Sequence, residues 1–298
     1  MEGKVIVITG GNAGIGYATA VEAVKQRAAR VIIVGRDAAR VGAAAAALGP
    51  TAVGEVADVS SLASVDAFVA RATATYPRID ILVCNAGTFV PPHSKTPEGF
   101  EVTLGTNVIG CAALTYGLLP LVVASPSARI IVLSSAMVHR SSASAIAARF
   151  ADVGGARAAS TTVAIYAESK VIVTLWAAAL QRALRATPAA AHVLVASCDP
   201  GTVDSGIQNK TQGGCFGAVL RFGFPLVAKT PALGAVPVVF CATAADVAAH
   251  GGATWTEGPR VRLLALKSYF NDANRDAAFK AVNAAIEGTG RKSFFLEK

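Results

Sequence analysis

Lys4-Val5-Ile6-Val7-Ile8-Thr9, followed at once by Gly10-Gly11-Asn12-Ala13-Gly14-Ile15-Gly16, is the stretch on which the fold turns. Six residues dominated by β-branched apolar side chains read as a parallel strand buried on both faces. The glycines form a tight turn into a helical stretch that runs to about Arg27. With side chains missing from this turn, backbone N–H groups can approach a phosphate, and the helix N-terminus adds its positive end. An ordinary βα turn is the plain alternative. Three glycines at this spacing, directly after the first strand, favour the phosphate cradle.

Working outward, the same unit repeats. Arg30–Val34 is a second buried strand, ending in Gly35-Arg36-Asp37. An acidic group at this strand end would suit a free ribose 2′-hydroxyl, and an arginine would suit a 2′-phosphate. Gly35 takes the acidic position and Arg36 follows. Asp37 precedes an alanine-rich helix and reads as its N-cap. Arg36 therefore points to NADP(H), with NAD(H) as the alternative. Ala52–Val59 supplies a third strand. Asp58 at its end is either an acceptor for an adenine amino group or a helix cap, with Ser60 as cap of the next helix. Ile79–Cys84 is a fourth strand, running into Asn85-Ala86-Gly87, whose small residues permit close approach of a ligand.

A long apolar helix is expected from about Pro97 to Leu119, carrying Asn107; a buried amide there needs a partner, and a satisfied core asparagine is the simpler reading. Arg129–Leu133 is a fifth strand that leads to Ser134-Ser135, and Val193–Ser197 a sixth that leads to Cys198-Asp199-Pro200-Gly201-Thr202. A last strand is expected near Lys267–Phe270 and a terminal helix from about Arg275 to Ile286. Six or seven strands alternating with helices imply an α/β fold with one doubly wound, Rossmann-type parallel sheet and helices on both faces. No linker interrupts the chain, so residues 1–298 are read as a single domain.

Tyr166 and Lys170 stand four apart on an expected helix, and so share a face. A tyrosine titrates near pH 10, too high for proton transfer at neutral pH, and a neighbouring cation would lower that value. Such pairs are also common on solvated helix faces; this one gains weight because the other polar residues singled out lie mostly at strand ends, where ligands of such folds sit.

Composition narrows the alternatives. Hydrophobic residues make up 53% of the 298 residues, much of it alanine, and no apolar run in the sequence reaches the length of a spanning helix. The first strand begins at Lys4, leaving no room for a leader segment. Five cysteines, widely spaced and without a C-x-x-C pair, fit small core hydrophobes in a reducing compartment and hold no metal. A net charge of +8 is scattered, without basic runs or interleaved aromatics, which argues against nucleic acid and fits an anionic cofactor. The excess of cations late in the chain would suit contact with an anionic membrane surface. An intracellular, cytoplasmic protein with peripheral membrane contact is the resulting expectation.

T-G-x-x-x-G-x-G at Thr9–Gly16, N-A-G at Asn85–Gly87, Asn107, Ser135, Y-x-x-x-K at Tyr166–Lys170 and P-G at Pro200-Gly201, in this order, resemble the short-chain dehydrogenase/reductase family over nearly the whole chain. G-R-D after the second strand, S-S-A-M-V-H, P-G-T-V and T-P-x-x-G-A resemble its retinol-dehydrogenase-like branch. The resemblance implies a catalytic set of Asn107, Ser135, Tyr166 and Lys170. Tyr166 would exchange a proton with the substrate oxygen. Lys170 would lower its pKa and hold the nicotinamide ribose, Ser135 would bond the carbonyl oxygen, and Asn107 would kink its helix and hold a relay water. Gly10, Asn12, Gly14, Ile15, Gly16, Arg36, Asp58, Val59, Asn85, Ala86, Gly87, Pro200, Gly201 and Thr202 would contact the cofactor, with Tyr166 and Lys170. The resemblance also implies a homo-oligomer, a cofactor half over about 1–125, and a catalytic and substrate half over about 126–298. Three departures stand out: Asn12 where many NADP-preferring members carry a basic residue, a long Ala/Ser-rich insertion at Ser141–Thr162 before Tyr166, and Asp199 before Pro200. The apolar stretch 202–229 reads as a loop covering a lipophilic substrate, or as a core-facing or membrane-touching surface. The expected activity is an oxidoreductase interconverting a lipophilic alcohol and its carbonyl; a non-catalytic NADP(H)-binding scaffold is the alternative.

Overall fold

The computed structural model describes residues 1–89, 94–155, 161–203, 228–256, 262–264 and 266–294. The β-branched runs form strands where expected: β1 (Val5–Thr9), β2 (Arg30–Gly35), β3 (Ala52–Val56), β4 (Ile81–Cys84), β5 (Arg129–Leu133) and β6 (Leu194–Asp199). They join β7 (Thr254–Thr256) and β8 (Arg262–Leu263) in one sheet of order β3-β2-β1-β4-β5-β6-β7-β8. All pairings are parallel except β7 with β8. The seventh strand thus falls at Thr254–Thr256 rather than at Lys267–Phe270. The latter is a turn, because Tyr269 tucks inward and its hydroxyl donates to the Val138 carbonyl.

Alternate strand residues feed two cores. Val7, Ile32, Leu82 and Ile130 face a layer built from α3 (Leu62–Thr75), α4 (Val102–Val123), α6 (Thr162–Arg185) and α9 (Asp272–Glu287). Ile6, Ile8, Ile33 and Val83 face α1 (Gly14–Lys25), α2 (Ala38–Leu48) and α7 (Pro231–Thr243). Between β5 and α6 lies the insertion, with a short helix α5 (Ala143–Phe150). A four-residue helix, α8 (Asp246–Ala249), precedes β7. Trp176 of α6 is fully buried; its indole N–H donates to the Tyr116 hydroxyl at 2.8 Å, which donates to Asn283 at 2.6 Å, tying α6, α4 and α9 together.

Two helices, α4 and α6, are long and apolar enough to span a membrane by length and composition, contrary to the sequence expectation; 78% of each qualifying window is buried inside the fold. Their apolar character is explained by burial against the sheet and neighbouring helices. The amino ends of the strands are pinned by Asp80, 1% exposed, which accepts from the Val5 N–H, Ser125 and Arg78. Burial alone would push this carboxyl up; its hydrogen bonds and the Arg78 guanidinium outweigh that and hold it below the usual value. The carboxyl ends of β1 and β4 are left open. Strand order reverses between them, which makes the crevice there the natural ligand site.

Candidate active site

The glycine turn is built by mutual support between the ends of β1 and β4. Thr9 Oγ1 accepts the backbone N–H of Asn85 at 3.0 Å and of Ala86 at 2.9 Å, while Asn85 Nδ2 donates to the carbonyls of Thr9 at 2.7 Å and Gly10 at 3.3 Å. Gly10 has φ +65° and Gly14 φ +55°. A Cβ on Gly16 would lie 2.4 Å from the Gly10 carbonyl oxygen and 2.5 Å from Asn85 Nδ2, so only glycine fits. Asp37, Ser61, Thr161, Thr230 and Asn271 cap the helices that follow them, whereas Ala13 offers α1 no side-chain cap. The first N–H groups of α1 are left for an outside acceptor, which fits the pyrophosphate of a dinucleotide.

At the end of β2, a Cβ on Gly35 would sit 2.7 Å from Asn12 Oδ1 and 2.8 Å from Val41. The Asn12 amide therefore fills the space an acidic side chain would need. Asp37 does cap α2, accepting from the Arg40 N–H at 3.0 Å. Arg36 is exposed, and its side chain has no hydrogen bond or ion pair among the described residues. Arg40, one helical turn on, lines a shallow cavity of ≈ 380 Å³ with Asn12, Ala13, Tyr17, Ala43 and Ala44. Sequence reasoning missed Arg40, whose position four after Arg36 was the available signal.

Asp58 lies beyond β3, which ends at Val56. Its carboxylate accepts from the Ser60 N–H at 2.9 Å and the Ser60 hydroxyl at 2.7 Å, so it shapes a turn and the helix cap passes to Ser61. Val59 is buried against α4, where a Cβ on Gly110 would collide with its carbonyl oxygen.

Asn107 sits in a π-helical turn, Gly105–Gly110, inside α4. Its Oδ1 accepts from the Thr88 N–H at 2.8 Å; Nδ2 donates to the Thr88 carbonyl and to Ser169 Oγ, both at 3.1 Å. Ser169 Oγ in turn donates to the Tyr166 carbonyl at 2.7 Å. Thus Asn107 is a satisfied buried amide and also a brace for the turn that carries Tyr166. Thr88 and Ser169 were not legible as members of this brace, since both use contacts between distant elements.

Lys170 follows Tyr166 by one turn, as the spacing predicts. Its ammonium donates to the Leu133 carbonyl at the end of β5, at 2.8 Å, and lies 5.7 Å from the Tyr166 ring centroid. Gly87 is beside them: a Cβ there would be 3.2 Å from Asn107 Oδ1 and 3.9 Å from Lys170 Nζ. Ser135 Oγ accepts from the Met137 N–H at 3.2 Å, and Ser135 also hydrogen-bonds Tyr166 through their side chains. Phe89 meets the Tyr166 ring edge-on at 5.0 Å. The four residues are therefore brought together.

The expected depression of the tyrosine is not met. Burial pushes Tyr166 up to about 12; the Ser135 hydrogen bond opposes this and the Asp199 carboxylate adds to it. Burial also lowers Lys170 to about 8, partly offset by Cys111, Cys198 and Asp199. Loss of solvation outweighs the mutual influence of the pair because the ammonium is turned toward the Leu133 carbonyl. At neutral pH the phenol is protonated. Asp199, 3% exposed, accepts from the Gly201 N–H at 3.0 Å and from Thr256 at 3.2 Å, shaping the Pro200-Gly201 turn, where Gly201 has φ +73°. Thr202 stands at the neck of the apolar stretch, its carbonyl accepting the Lys229 N–H at 2.9 Å. Residues 204–227 of the expected covering loop lie outside the described residues. Of the cysteines, Cys84, Cys111, Cys198 and Cys241 are free and buried; Cys215 falls outside the described residues.

A family model described as short chain dehydrogenase matches residues 4–148. Human retinol dehydrogenase 14 is 32% identical over 89% of this chain and 81% of its own length; human retinol dehydrogenase 13 is 34% identical over 84% and 75%. Mouse polyprenol dehydrogenase is 33% identical over 84% of this chain and 74% of its own. Among solved structures, an uncharacterized protein from Mycobacterium Paratuberculosis superposes with TM-score 0.77 at 24% identity, covering 99% of this chain and 96% of that one. A short chain dehydrogenase/reductase family protein gives TM-score 0.62 at 27% identity over 86% and 95%. The chain belongs to the short-chain dehydrogenase/reductase family, oxidoreductases that act on CH–OH and C=O groups with a nicotinamide cofactor. Within that family its relatives set it with the retinol-dehydrogenase-like branch.

Proposed function

We propose that this chain is an NADP(H)-dependent carbonyl reductase/alcohol dehydrogenase acting on a lipophilic substrate. The observation that carries this reading is the grouping of four side chains: Ser135 with the Tyr166 phenol, and Lys170 and Asn107 both close to Gly87. Held along the glycine turn, NADPH would supply the hydride chemistry needed at the carbonyl carbon. Gly10, Asn12, Gly14, Ile15 and Gly16 would hold the pyrophosphate; Asn85, Ala86, Gly87, Pro200, Gly201 and Thr202 the nicotinamide side; and Asp58 and Val59 the adenine. Ser135 donates a hydrogen bond to the substrate oxygen and stabilises the charge developing there. Tyr166 gives its proton to that oxygen. Its phenol is protonated at neutral pH, the form that can give a proton to the substrate oxygen. The Lys170 ammonium lends positive charge to the phenol as it releases its proton, and Asn107 keeps the helix turn in place.

NADP(H) rather than NAD(H) is supported by exposed, uncommitted Arg36, by Arg40 beside Asn12, and by the absence of room for an acidic group at Gly35. A lipophilic substrate is supported by Phe89 against the Tyr166 ring, by the apolar sequence between Thr202 and Lys229, and by the names of the retinol and polyprenol dehydrogenases. The single-domain reading is supported by the one continuous sheet. Titrating the purified protein with NADPH and NADH, then screening apolar aldehydes and ketones for loss of nicotinamide absorbance, tests this function. Cofactor binding without turnover of any carbonyl or alcohol would favour a non-catalytic scaffold.

A further inference from the structure

Arg149 is the most deeply buried charge in the described residues, 0% exposed, and it lies in the Ala/Ser-rich insertion rather than in the cofactor crevice. Its Nε and Nη2 both donate to Glu168 Oε2, at 2.8 and 2.6 Å, and Nη1 donates to the carbonyls of Asp152 (3.2 Å) and Gly155. Glu168 is 3% exposed and stands two residues after Tyr166 on α6. The turn that Arg149 gathers is also tied to α4: the Glu101 N–H donates to the Gly154 carbonyl at 2.7 Å, and a Cβ on Gly154 would strike the Phe100 ring at 2.2 Å. One guanidinium thus joins the helix bearing Tyr166 to a turn fastened beside the helix bearing Asn107.

We propose that Arg149, acting through Glu168, is a positioning residue that fixes the Tyr166 turn of α6 relative to α4 and so sets where the phenol meets its substrate. This inference rests on the proton-donor role given to Tyr166 above. Tyr166 lies in the first turns of α6, where the helix holds itself least well, since its leading N–H groups have no intrahelical partners. Two polar grips compensate. From the α4 side, Asn107 reaches Ser169 and through it the Tyr166 carbonyl; from the insertion side, Arg149 holds Glu168. Well-packed apolar side chains would stabilise such a contact at least as well, because two charges must be stripped of water to make it. What a forked guanidinium adds is direction: donors at fixed angles hold a helix and a turn in one register.

The test compares wild type with Arg149→Met, Arg149→Lys and Glu168→Gln. NADPH affinity, kcat and KM for a reducible carbonyl, and hydrogen exchange of the 162–170 peptide are measured on each. NADPH affinity should move far less than kcat, because the glycine turn that carries most of the cofactor contacts is built from other elements. Exchange over 162–170 should quicken in Arg149→Met, and kcat should fall on the order of a hundredfold, the cost of a shift of about 1 Å at the reacting group. Arg149→Lys, which keeps the charge but lacks the fork, should recover only part of the kcat. Quickened exchange with undiminished kcat would make the pair a mere anchor and overturn the proposal, as would unchanged exchange in all three variants. If Arg149→Met does not fold, Glu168→Gln, which leaves the carbonyl contacts of Arg149 in place, decides by the same two readouts. A wild type that binds NADPH yet reduces no carbonyl would refute the proposed reaction instead; exchange over 162–170 would then decide whether Arg149 grips this turn.

Discussion

Replacing Arg36 with alanine should cut the proposed preference for the 2′-phosphorylated cofactor about tenfold. Arg36 is exposed and its side chain is uncommitted among the described residues, so its removal should leave thermal stability unchanged. A forked, charge-assisted contact is worth about 1.5–3 kcal/mol, and solvent around an exposed site argues for the lower end. About 1.5 kcal/mol corresponds to roughly a tenfold rise in Kd for NADPH, while Kd for NADH should not move. Arg40 lines the same cavity as Asn12, so Arg36→Ala/Arg40→Ala should take the loss toward a hundredfold, if each arginine contributes about equally. The assay is a fluorescence titration of both cofactors on wild type and the two variants, repeated at raised salt, which should erode the NADPH preference of the wild type. Equal weakening of NADPH and NADH would refute the reasoning, because it would place Arg36 on a part common to both.

Three further outcomes follow from the geometry. Gly16→Ala should abolish binding of NADPH and NADH alike, since the added methyl meets the Gly10 carbonyl and Asn85 Nδ2; titration of the folded variant checks this. Asp80→Asn should destabilise the fold by about 3 kcal/mol, the scale for breaking a buried charged network, read from denaturant unfolding. Because the Asp80 carboxyl is lowered in the folded state, its contribution is present above the unfolded value near 4 and is lost as pH falls through the folded value, so wild type and variant should converge in acid. Finally, reduction should slow as pH rises through about 8, where Lys170 loses its proton, and Lys170→Met should remove that limb from the pH–rate profile.

The strands and the glycine turn were legible because each repeats a local rule: a β-branched run, then a small-residue turn, then a helix. β7 escaped notice because Thr-Trp-Thr is only three residues long, while Lys267–Phe270 offered aromatics that turned out to anchor a turn through Tyr269. The Tyr166–Lys170 pair was legible from its spacing, while Ser135 joined it only through the family resemblance. Its electrostatics were not: a four-residue spacing shows that an ammonium can reach a phenol, but not that burial will override it or that Leu133 will take the ammonium. Arg149 read as one more scattered cation, since nothing in an alanine-rich segment announces a carboxylate waiting on another helix.

The central claim is that Tyr166 delivers the proton. Its most direct test is steady-state carbonyl reduction by Tyr166→Phe with NADPH saturating, alongside NADPH affinity and melting temperature. The account predicts unchanged affinity and melting with turnover lowered by about a hundredfold or more, the worth of a positioned general acid. Undiminished turnover by the phenylalanine variant would contradict it.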